Sequence, residues 1–402
     1  MLSLEEALQR ILAQLPPPTV APLPPSAAAG RFLAAPAEAQ VDVPPFDNSA
    51  MDGFAVRSAD ISRASPQTPA ALRLIGEAAA GRVFAGEATA GTCVRVSTGS
   101  PLPRGADAVV MQEDTRAEPA QPGTVFILDA ARPWENVRFR GEDVKRGSAL
   151  ASPGARLDAG LIALLAATGC ETVAAAVPPR VGLLATGDEL RDPGQPLGPG
   201  QIFESNRAML RPLVAETGAV PAAFPVAPDT LGATTAALRS ALETCDIVIT
   251  CGGASVGEHD HVKDAFAALG GALDFWRVAI KPGKPFIFGR LGRTFLFGLP
   301  GNPVSAFVTF LLLVRPALLR WQGAAEIRIP SHPAVLAEPL ANRGDRRHFV
   351  RVCVDAAGSV TSAGAQASHR LGSLAAANGL VDVPPGTTLA AGATVHVLRF
   401  RF

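Results

Sequence analysis

Between residues 180 and 323, short apolar runs alternate with helical patterns, and this alternation constrains the fold more than any other feature of the sequence. The pattern predicts strands at residues 181–185, 222–226, 247–250, 275–280, 286–288 and 294–297. It predicts helices at residues 206–217, 230–243, 262–269 and 303–321. We therefore expect an α/β fold with a largely parallel, doubly wound sheet, which binds ligands beyond the carboxyl ends of its strands.

The stretch from residue 245 to 263 combines a strand, a glycine loop and the start of a helix. Its strand is apolar and β-branched, and four small residues then allow the backbone to approach a ligand: Gly252, Gly253, Ser255 and Gly257. Backbone N–H groups and the positive end of a helix dipole together bind anions. Glu258 and Asp260 would repel a bare anion, so they indicate a divalent cation between acid and phosphate. A tight turn with a solvated acidic cap is the alternative explanation.

The composition excludes several classes of protein. The 36 basic and 36 acidic residues cancel, so no overall field favours nucleic acid or a membrane surface. The five cysteines form no CxxC pair, which argues against a disulfide framework or a zinc site and for a reducing compartment. The apolar runs at residues 159–167 and 307–314 are too short to span a bilayer. We expect a cytoplasmic protein with several domains.

Other patterns surround the alternating region. Residues 2–15 have the spacing of an amphipathic helix, residues 154–172 predict an apolar helix ending at Gly169, and residues 42–149 contain short strands separated by turns. If the two helices pack together, residues 42–149 are an insertion. We expect a helical part at residues 1–41 and 150–177, an inserted β-rich domain at 42–149, the α/β domain at 178–324, and a small β domain at 325–402.

Polar residues follow the predicted strands at the ends where a parallel sheet binds ligands. Glu189 follows the first strand and Asp229 the second. The turn before the last helix adds five candidates: Pro300, Gly301, Asn302, Pro303 and Ser305. Asn302 has the features of an N-cap and Pro303 of a first helical residue, so free N–H groups there suit a phosphate or a pterin edge. Acidic groups that converge on one crevice indicate a divalent cation.

Two lysines provide the positive charge that an anion would need in this crevice. Lys281 and Lys284 flank Pro282 and Gly283, and Pro285 stiffens the exit from the turn. Paired lysines in a turn are usually solvated, but the prolines favour a positioned contact with an anion. The sequence shows no nucleophile–base pair for covalent catalysis and no zinc-ligand spacing.

Seven motifs occur in order along the chain: SAMDGFA, VSTGSPLPRGADAVVMQED, NVRFRGEDV, TGDEL, CGGASVGEHD, AIKPGKPF and GLPGNPVSAF. With these motifs the chain resembles the MoeA family of molybdopterin molybdenumtransferases and the E domain of gephyrin. The resemblance implies a homodimer with a MoaB/MogA-like molybdopterin-binding α/β domain and a small C-terminal β-barrel. It implies that molybdenum from molybdate is inserted into adenylylated molybdopterin, with Mg²⁺-dependent release of AMP. A separate molybdopterin adenylyltransferase would supply the substrate.

The resemblance also implies functional residues, motif by motif. The catalytic group falls on six positions: Asp52, Thr98, Asp143, Glu189, Asp229 and Asp260. The substrate-binding group falls on the glycine loop, the two lysines, the turn before the last helix, and Arg351 and Ser368 in the C-terminal part. Glu189 and Asp260 are expected to hold Mg²⁺, and the lysines to contact molybdate or phosphate. The three catalytic positions in the inserted part are expected to complete the partner subunit's site.

Three alternatives remain open. An adenylyltransferase would share the α/β part, although the SAMDGFA and GED motifs argue against it. A non-catalytic pterin carrier or scaffold would share the fold, but the presence of Glu189, Asp260 and both lysines favours catalysis. Tungstate has the same charge as molybdate and nearly the same size, so the sequence does not separate these two oxyanions.

Overall fold

The centre of the protein is a six-stranded sheet. The computed structural model describes residues 1–252 and 261–400, so the predicted site residues Gly253, Ser255, Gly257 and Asp260 lie outside the described residues. The strand order is Val220–Ala223, Arg180–Ala185, Ile247–Cys251, Thr294–Leu299, Pro285–Leu291, Ala272–Arg277. The first four strands are parallel, and Pro285–Leu291 pairs antiparallel with both of its neighbours, which confirms the prediction of a largely parallel sheet.

Helices cover both faces of this sheet. The described helices are α1 (Leu4–Gln14), α2 (Ala159–Ala167), α3 (Asn206–Glu216), α4 (Leu231–Thr244), α5 (His261–Ala268), α6 (Pro303–Thr309), α7 (Arg315–Trp321) and α8 (Leu371–Ala376). A π-helical turn, Phe310–Val314, joins α6 to α7. Apolar residues of α1, α3, α6 and α7 pack on one face of the sheet, and those of α4 and α5 pack on the other. The doubly wound arrangement is therefore confirmed.

Some element boundaries differ from the predictions for local reasons. The strand expected at 222–226 ends at Ala223, because Pro225 has no N–H for the ladder. The strand expected at 275–280 ends at Arg277, and Ile280–Lys281 pairs instead with the C-terminal strand Arg347–Val354. The helix expected at 154–172 covers only Ala159–Ala167, since the side chain of Asp158 caps its first turn.

The region between residues 39 and 148 folds around its own sheet. The chain enters and leaves it on neighbouring antiparallel strands, Ala37–Glu38 and Ala149–Ala151. The strands Val20–Leu23 and Val173–Ala176 pair beside them. The order in the inserted sheet is Ala108–Met111, Gly53–Val56, Thr92–Val96, Ala70–Ala78, Thr124–Ile127, Thr115–Ala117. Apolar clusters lie on both of its faces. The residue boundaries of the four parts stay a prediction.

The C-terminal region is a closed barrel of five strands. They are Ser331–Leu336, Arg347–Val354, Ser359–Ser362, Gly379–Val383 and Thr394–Arg399. Each strand pairs with two others, so the sheet has no free edge. Valines such as Val350, Val352 and Val397 fill its interior. The barrel confirms the predicted small β domain, although the six residues of α8 were too short to show a helical period.

Three two-stranded ribbons complete the described strands. They are Asn48–Ser49 with Val137–Arg138, Leu190–Arg191 with Ile202–Phe203, and Leu340–Asn342 with Thr387–Leu389. Among the described residues, only the continuous helix Pro303–Trp321 is long and apolar enough to cross a membrane. Its most apolar window is 83% buried inside the protein, which is typical of a core helix.

Candidate active site

Three loops meet at the carboxyl ends of the central parallel strands. Gly252 has a φ of 89°, and a Cβ added there would lie 2.9 Å from the carbonyl oxygen of Thr186. Its N–H donates to the carbonyl of Leu299 over 3.3 Å. A Cβ on Gly301 would lie 3.7 Å from the Cα of Gly252. Only glycine fits this close approach at position 252, so the loops form one continuous edge of the sheet.

A cavity of about 520 Å³ opens beside this edge, between the α/β part and the barrel. It is lined by eight of the predicted site residues: Gly252, Lys281, Lys284, Pro300, Gly301, Asn302, Ser305 and Ser368. Six further lining residues are not in the predicted set: Pro282, Gly283, Pro285, Arg346, Gln366 and Ala367. The described lining thus carries three cationic side chains and no carboxylate. We call this space the cationic cavity. Its charge suits a small dianion or a phosphate group.

The turn that carries the two lysines is held at both ends. Lys281 belongs to the short strand that pairs with Arg347–Val354, opposite His348. The carbonyl of Lys284 accepts from the N–H of Val278 over 3.0 Å. Between the lysines, Gly283 has a φ of 115°, and a Cβ there would lie 2.5 Å from the methyl group of Thr309. Both ammonium groups are therefore mounted on a fixed turn.

The start of α6 closes another side of the cavity. Asn302 is the N-cap and Pro303 the first helical residue, as the sequence indicated. The N–H of Val304, which we expected to be free for a ligand, donates instead to the carbonyl of Ser368 over 3.1 Å. This bond ties the loop that carries Ser368 to the helix, so fewer N–H groups than expected face a ligand.

Asn206, the first residue of α3, also reaches this site and was not predicted. Its amide nitrogen donates to the carbonyl of Gly301 over 2.8 Å, and its side-chain oxygen is buried without a hydrogen-bond partner. A Ser-Asn pair just before an apolar helix was the available sequence signal, and it is too common to single out.

Arg351, which the resemblance assigns to substrate binding, does not line the cavity. It is fully buried. Its guanidinium donates to the carbonyls of Ala365 (2.8 Å) and Ala367 (3.2 Å) and to the Ser373 hydroxyl (3.1 Å). Burial lowers the pKa of this guanidinium, which nevertheless stays protonated in proteins. Arg351 therefore lies behind the loop that forms the cavity wall.

His348 adds to the electrostatic picture and was not predicted. Its imidazole is buried, and neither ring nitrogen has a hydrogen-bond partner. Burial, and then the positive charges of Lys281, Arg351 and Arg346, lower its pKa to about 4. The ring is therefore neutral at pH 7, and it marks a region of positive potential between the barrel and the lysine turn.

The predicted acids occupy neighbouring strand ends. The N–H of Asp188 donates to the Asp229 carboxylate (3.3 Å), and the N–H of Asp229 donates to the Asp188 carboxylate (3.1 Å). Glu189 is exposed, and its carboxylate folds back against Gly187, where a Cβ would lie 2.4 Å from it. Asp188, which the sequence places beside Glu189, thus fixes Asp229 in position. A cavity of about 480 Å³ adjoins Gly187 and Asp188.

The donors for a divalent cation are only partly described. Within residues 1–252 and 261–400, no group of three or more His, Cys, Asp or Glu side chains could hold a metal ion. Glu189 is an exposed carboxylate at the strand end, and Asp260 lies outside the described residues. Mg²⁺ commonly binds through one or two carboxylates together with substrate phosphates and water. The described donors fit that mode, in which the substrate supplies the remaining oxygens.

The predicted residues of the inserted region form a separate group. The Asp52 carboxylate accepts from the backbone N–H of Thr98 (2.6 Å) and from its hydroxyl (3.1 Å). Asp143 is exposed, and its N–H donates to the carbonyl of Val43 over 3.1 Å. Among the described residues, every hydrogen bond of Asp52, Thr98 and Asp143 stays within the inserted region. Within one subunit, Asp52 is therefore hydrogen-bonded to Thr98, and no hydrogen bond among the described residues links this pair to the cationic cavity.

Comparison with known proteins gives consistent matches along the chain. Three family models match: the MoeA N-terminal region (domain I and II) at residues 2–169, a probable molybdopterin binding domain at residues 182–320, and the MoeA C-terminal region (domain IV) at residues 333–400. The molybdopterin molybdenumtransferase of Haemophilus influenzae is 37% identical, over 100% of this chain and 99% of its own. Molybdopterin molybdenumtransferase 2 of Mycobacterium tuberculosis is 38% identical, over 97% of each chain. The crystal structure of the molybdopterin biosynthesis MoeA protein from Pyrococcus horikoshii OT3 superimposes with a TM-score of 0.80 at 31% identity, over 100% of both chains.

Proposed function

This chain belongs to the MoeA family of molybdopterin molybdenumtransferases, and we propose on that premise that it inserts molybdenum from molybdate into adenylylated molybdopterin and releases AMP. It is a transferase of molybdenum cofactor biosynthesis. The observation that carries the finer proposal is the cationic cavity, whose described lining joins Lys281, Lys284 and Arg346 without a carboxylate. A site of that charge at the carboxyl ends of parallel strands suits an oxyanion beside a phosphorylated ligand.

The chemistry requires positioning more than covalent help from the protein. The two dithiolene sulfurs of the substrate bind molybdenum, and one oxygen ligand of molybdate takes up the two thiol protons and leaves as water. Addition of water to the phosphoanhydride leaves the pterin with its own phosphate group and releases AMP. Lys281 and Lys284 would neutralise and orient the oxyanion, and Ser305 and Ser368, which also line the cavity, offer hydroxyl donors. This reaction requires no nucleophile–base pair from the protein, in agreement with the sequence, which shows none.

We propose that Glu189 and Asp260 hold Mg²⁺ against the phosphoanhydride. Mg²⁺ would supply positive charge where the cleaved bond gathers negative charge. The exposed position of Glu189 and the fixed pairing of Asp188 with Asp229 support an acidic strand end beside the cationic cavity. In this arrangement the acids take the metal and phosphate end of the substrate, and the lysines take the oxyanion.

We propose further that the protein is a homodimer and that each site is shared. In the part of the chain that the structure describes, Asp52, Thr98 and Asp143 form hydrogen bonds only within the inserted region, which supports their reaching a site through a partner subunit. Met51 and Phe139 next to these residues are exposed, which supports a covered surface there. All five cysteines are free thiols, which supports a cytoplasmic location. A separate adenylyltransferase would provide the substrate, and tungstate would compete as a metal donor.

The direct test is release of AMP from adenylylated molybdopterin by the purified protein with Mg²⁺. We expect release that depends on molybdate, together with active cofactor. Tight pterin binding without release would favour the carrier alternative. Consumption of ATP with molybdopterin to make the adenylylated form would favour the adenylyltransferase. Equal rates with tungstate would show that the site does not select between the oxyanions.

A further inference from the structure

The wall of the cationic cavity that faces α6 is a loop of the barrel, residues 363–370, here called the barrel loop. Gln366 holds this loop against the strand Arg347–Val354. Its side-chain oxygen accepts from the N–H of Arg351 over 2.9 Å, and its amide nitrogen donates to the carbonyl of Arg351 over 3.0 Å. The same nitrogen also lies within bonding distance of the Ser362 hydroxyl (3.1 Å) and the Gly364 carbonyl (3.0 Å). The Gln366 side chain thus connects the barrel loop to the strand Arg347–Val354 and also holds the first residues of the loop.

The paired hydrogen bonds between the Gln366 side chain and the Arg351 backbone, here called the amide clasp, determine which groups of the barrel loop face the cavity. The guanidinium of Arg351 lies behind the loop and binds the carbonyls on either side of Gln366, those of Ala365 and Ala367. The next carbonyl, of Ser368, accepts from the N–H of Val304. Together with the carbonyl of Gly364, at least four carbonyl oxygens of the loop are therefore engaged by donors. Free carbonyl oxygens in the wall would repel an anion, so their engagement keeps the wall favourable to negative charge.

We propose that Gln366 is a positioning residue for the anionic substrate: it holds the barrel loop in the conformation that keeps Arg351 behind the wall and Ser368 beside the lysine turn. This proposal rests on the assignment of the cationic cavity to molybdate. Gln366 acts through Arg351 and the loop rather than by chemistry of its own. Its loss would leave the lysines in place but would let the loop shift, which would draw the Ala365 and Ala367 carbonyls away from the Arg351 guanidinium and move the Ser368 hydroxyl.

A second amide side chain, which bonds to the same strand Arg347–Val354, provides a matched control. Asn378 bonds Val354 in the same reciprocal way, with its side-chain oxygen accepting from the Val354 N–H (2.8 Å) and its amide nitrogen donating to the Val354 carbonyl (2.8 Å). Asn378 does not line the cavity. Gln366→Met and Asn378→Leu each remove one amide clasp while keeping side-chain volume, so both should lower the thermal stability of the barrel.

The experiment measures molybdate binding to the full-length protein by equilibrium dialysis, and the KM for molybdate and kcat in the AMP-release assay. We expect Gln366→Met to weaken molybdate binding and raise its KM by about tenfold or more, as for other residues that orient a ligand shell. The kcat at saturating molybdate and the KM for adenylylated molybdopterin should stay near those of the unaltered protein. Asn378→Leu should leave all of these values unchanged.

Different failures have different meanings. Unchanged molybdate affinity in Gln366→Met, with a stability loss like that of Asn378→Leu, would reduce Gln366 to a structural role and overturn the inference. The same loss of affinity in both variants would also overturn it, because the effect would then follow barrel stability. Absence of molybdate binding to the unaltered protein would instead remove the assignment of the cavity itself, and the proposal with it.

Discussion

The guanidinium of Arg351 is buried, protonated and without an ion pair among the described residues. Lys281, Lys284 and Arg346 stand on the other side of the barrel loop, so four cations surround a small volume. A buried charge without a counter-charge costs several kcal/mol. A bound dianion would provide that counter-charge. The uneven charge at this site is therefore a reason for the cavity to retain an oxyanion in preference to water.

His348 offers a residue-level test of this potential. In the unfolded chain its imidazole has a pKa of 6.5, and in the folded protein burial and nearby cations lower the pKa to about 4. Between these values the unfolded chain binds more protons, so the free energy of unfolding should fall by about 1.4 kcal/mol per pH unit as the pH drops. This contribution is complete above pH 6.5 and is lost towards pH 4. His348→Leu should remove it, which urea unfolding at pH 7.5 and pH 5.0 would measure.

The control for that prediction is His396→Leu, because His396 is exposed on another strand of the barrel. The His396 variant should lose as much stability between the two pH values as the unaltered protein. An equally large loss in His348→Leu would show that other groups cause the acid sensitivity.

At the scale of elements, the loops that follow the central strands can pack together only because their backbones lie in direct contact. The strand Ile247–Cys251 ends at Gly252, which touches the end of the neighbouring strand at Thr186. The lysine turn, in contrast, depends on the two-residue strand Ile280–Lys281 that reaches the barrel. The site is thus assembled by backbone contacts between elements, with side chains added at their ends.

Gly252→Ala should disturb this assembly more than its backbone angle alone requires. Gly292 also has a positive φ, but a Cβ there meets open space, so Gly292→Ala measures the strain of the angle, about 1–2 kcal/mol. At Gly252 the added Cβ would also press on the Thr186 carbonyl. We expect a larger loss in the free energy of unfolding for Gly252→Ala, and a raised KM for the pterin substrate. Equal losses in urea unfolding, with unchanged KM, would contradict the close-approach argument.

Sequence patterns predicted those parts of the fold that local periodicity encodes. The buried strands and their helices follow from apolar runs, and the positions of Lys281, Pro300 and Ser305 follow from their place after strands. The contribution of Arg346 and Gln366 depends on how the barrel packs against the α/β part, which no local pattern encodes. Arg351 was assigned to substrate binding from the family resemblance, and an arginine on a strand gives no sign of which side of a loop it will occupy.

At the scale of the whole molecule, the inserted region and the α/β part carry two halves of the predicted catalytic set. Asp52 and Thr98 bond each other in one, and Asp188 and Asp229 bond each other in the other. A homodimer could bring one half from each subunit into a shared site, because a two-fold axis presents both combinations at once.

Mixed dimers test this sharing. Asp52→Ala and Glu189→Gln subunits should each be inactive alone, since every site would lack one group. Each mixed dimer keeps one of its two sites intact, so purified heterodimers should show about half of the unaltered activity, and a random mixture, in which half of the dimers are mixed, about a quarter. The readout is AMP release by heterodimers purified through two different tags. Verified heterodimers without activity would place both residues in the same subunit's site.

The position of the barrel loop has a consequence for protein synthesis. The cationic cavity takes its walls from residues 252–305 and from residues 346–368, which are translated later. A ribosome-bound chain that has completed only the α/β part would possess both lysines but would lack Arg346, Gln366 and Ser368. Capacity to retain an oxyanion would therefore arise only after the barrel has been translated and has docked. Unfinished or truncated chains would not withdraw molybdate from the cell's supply.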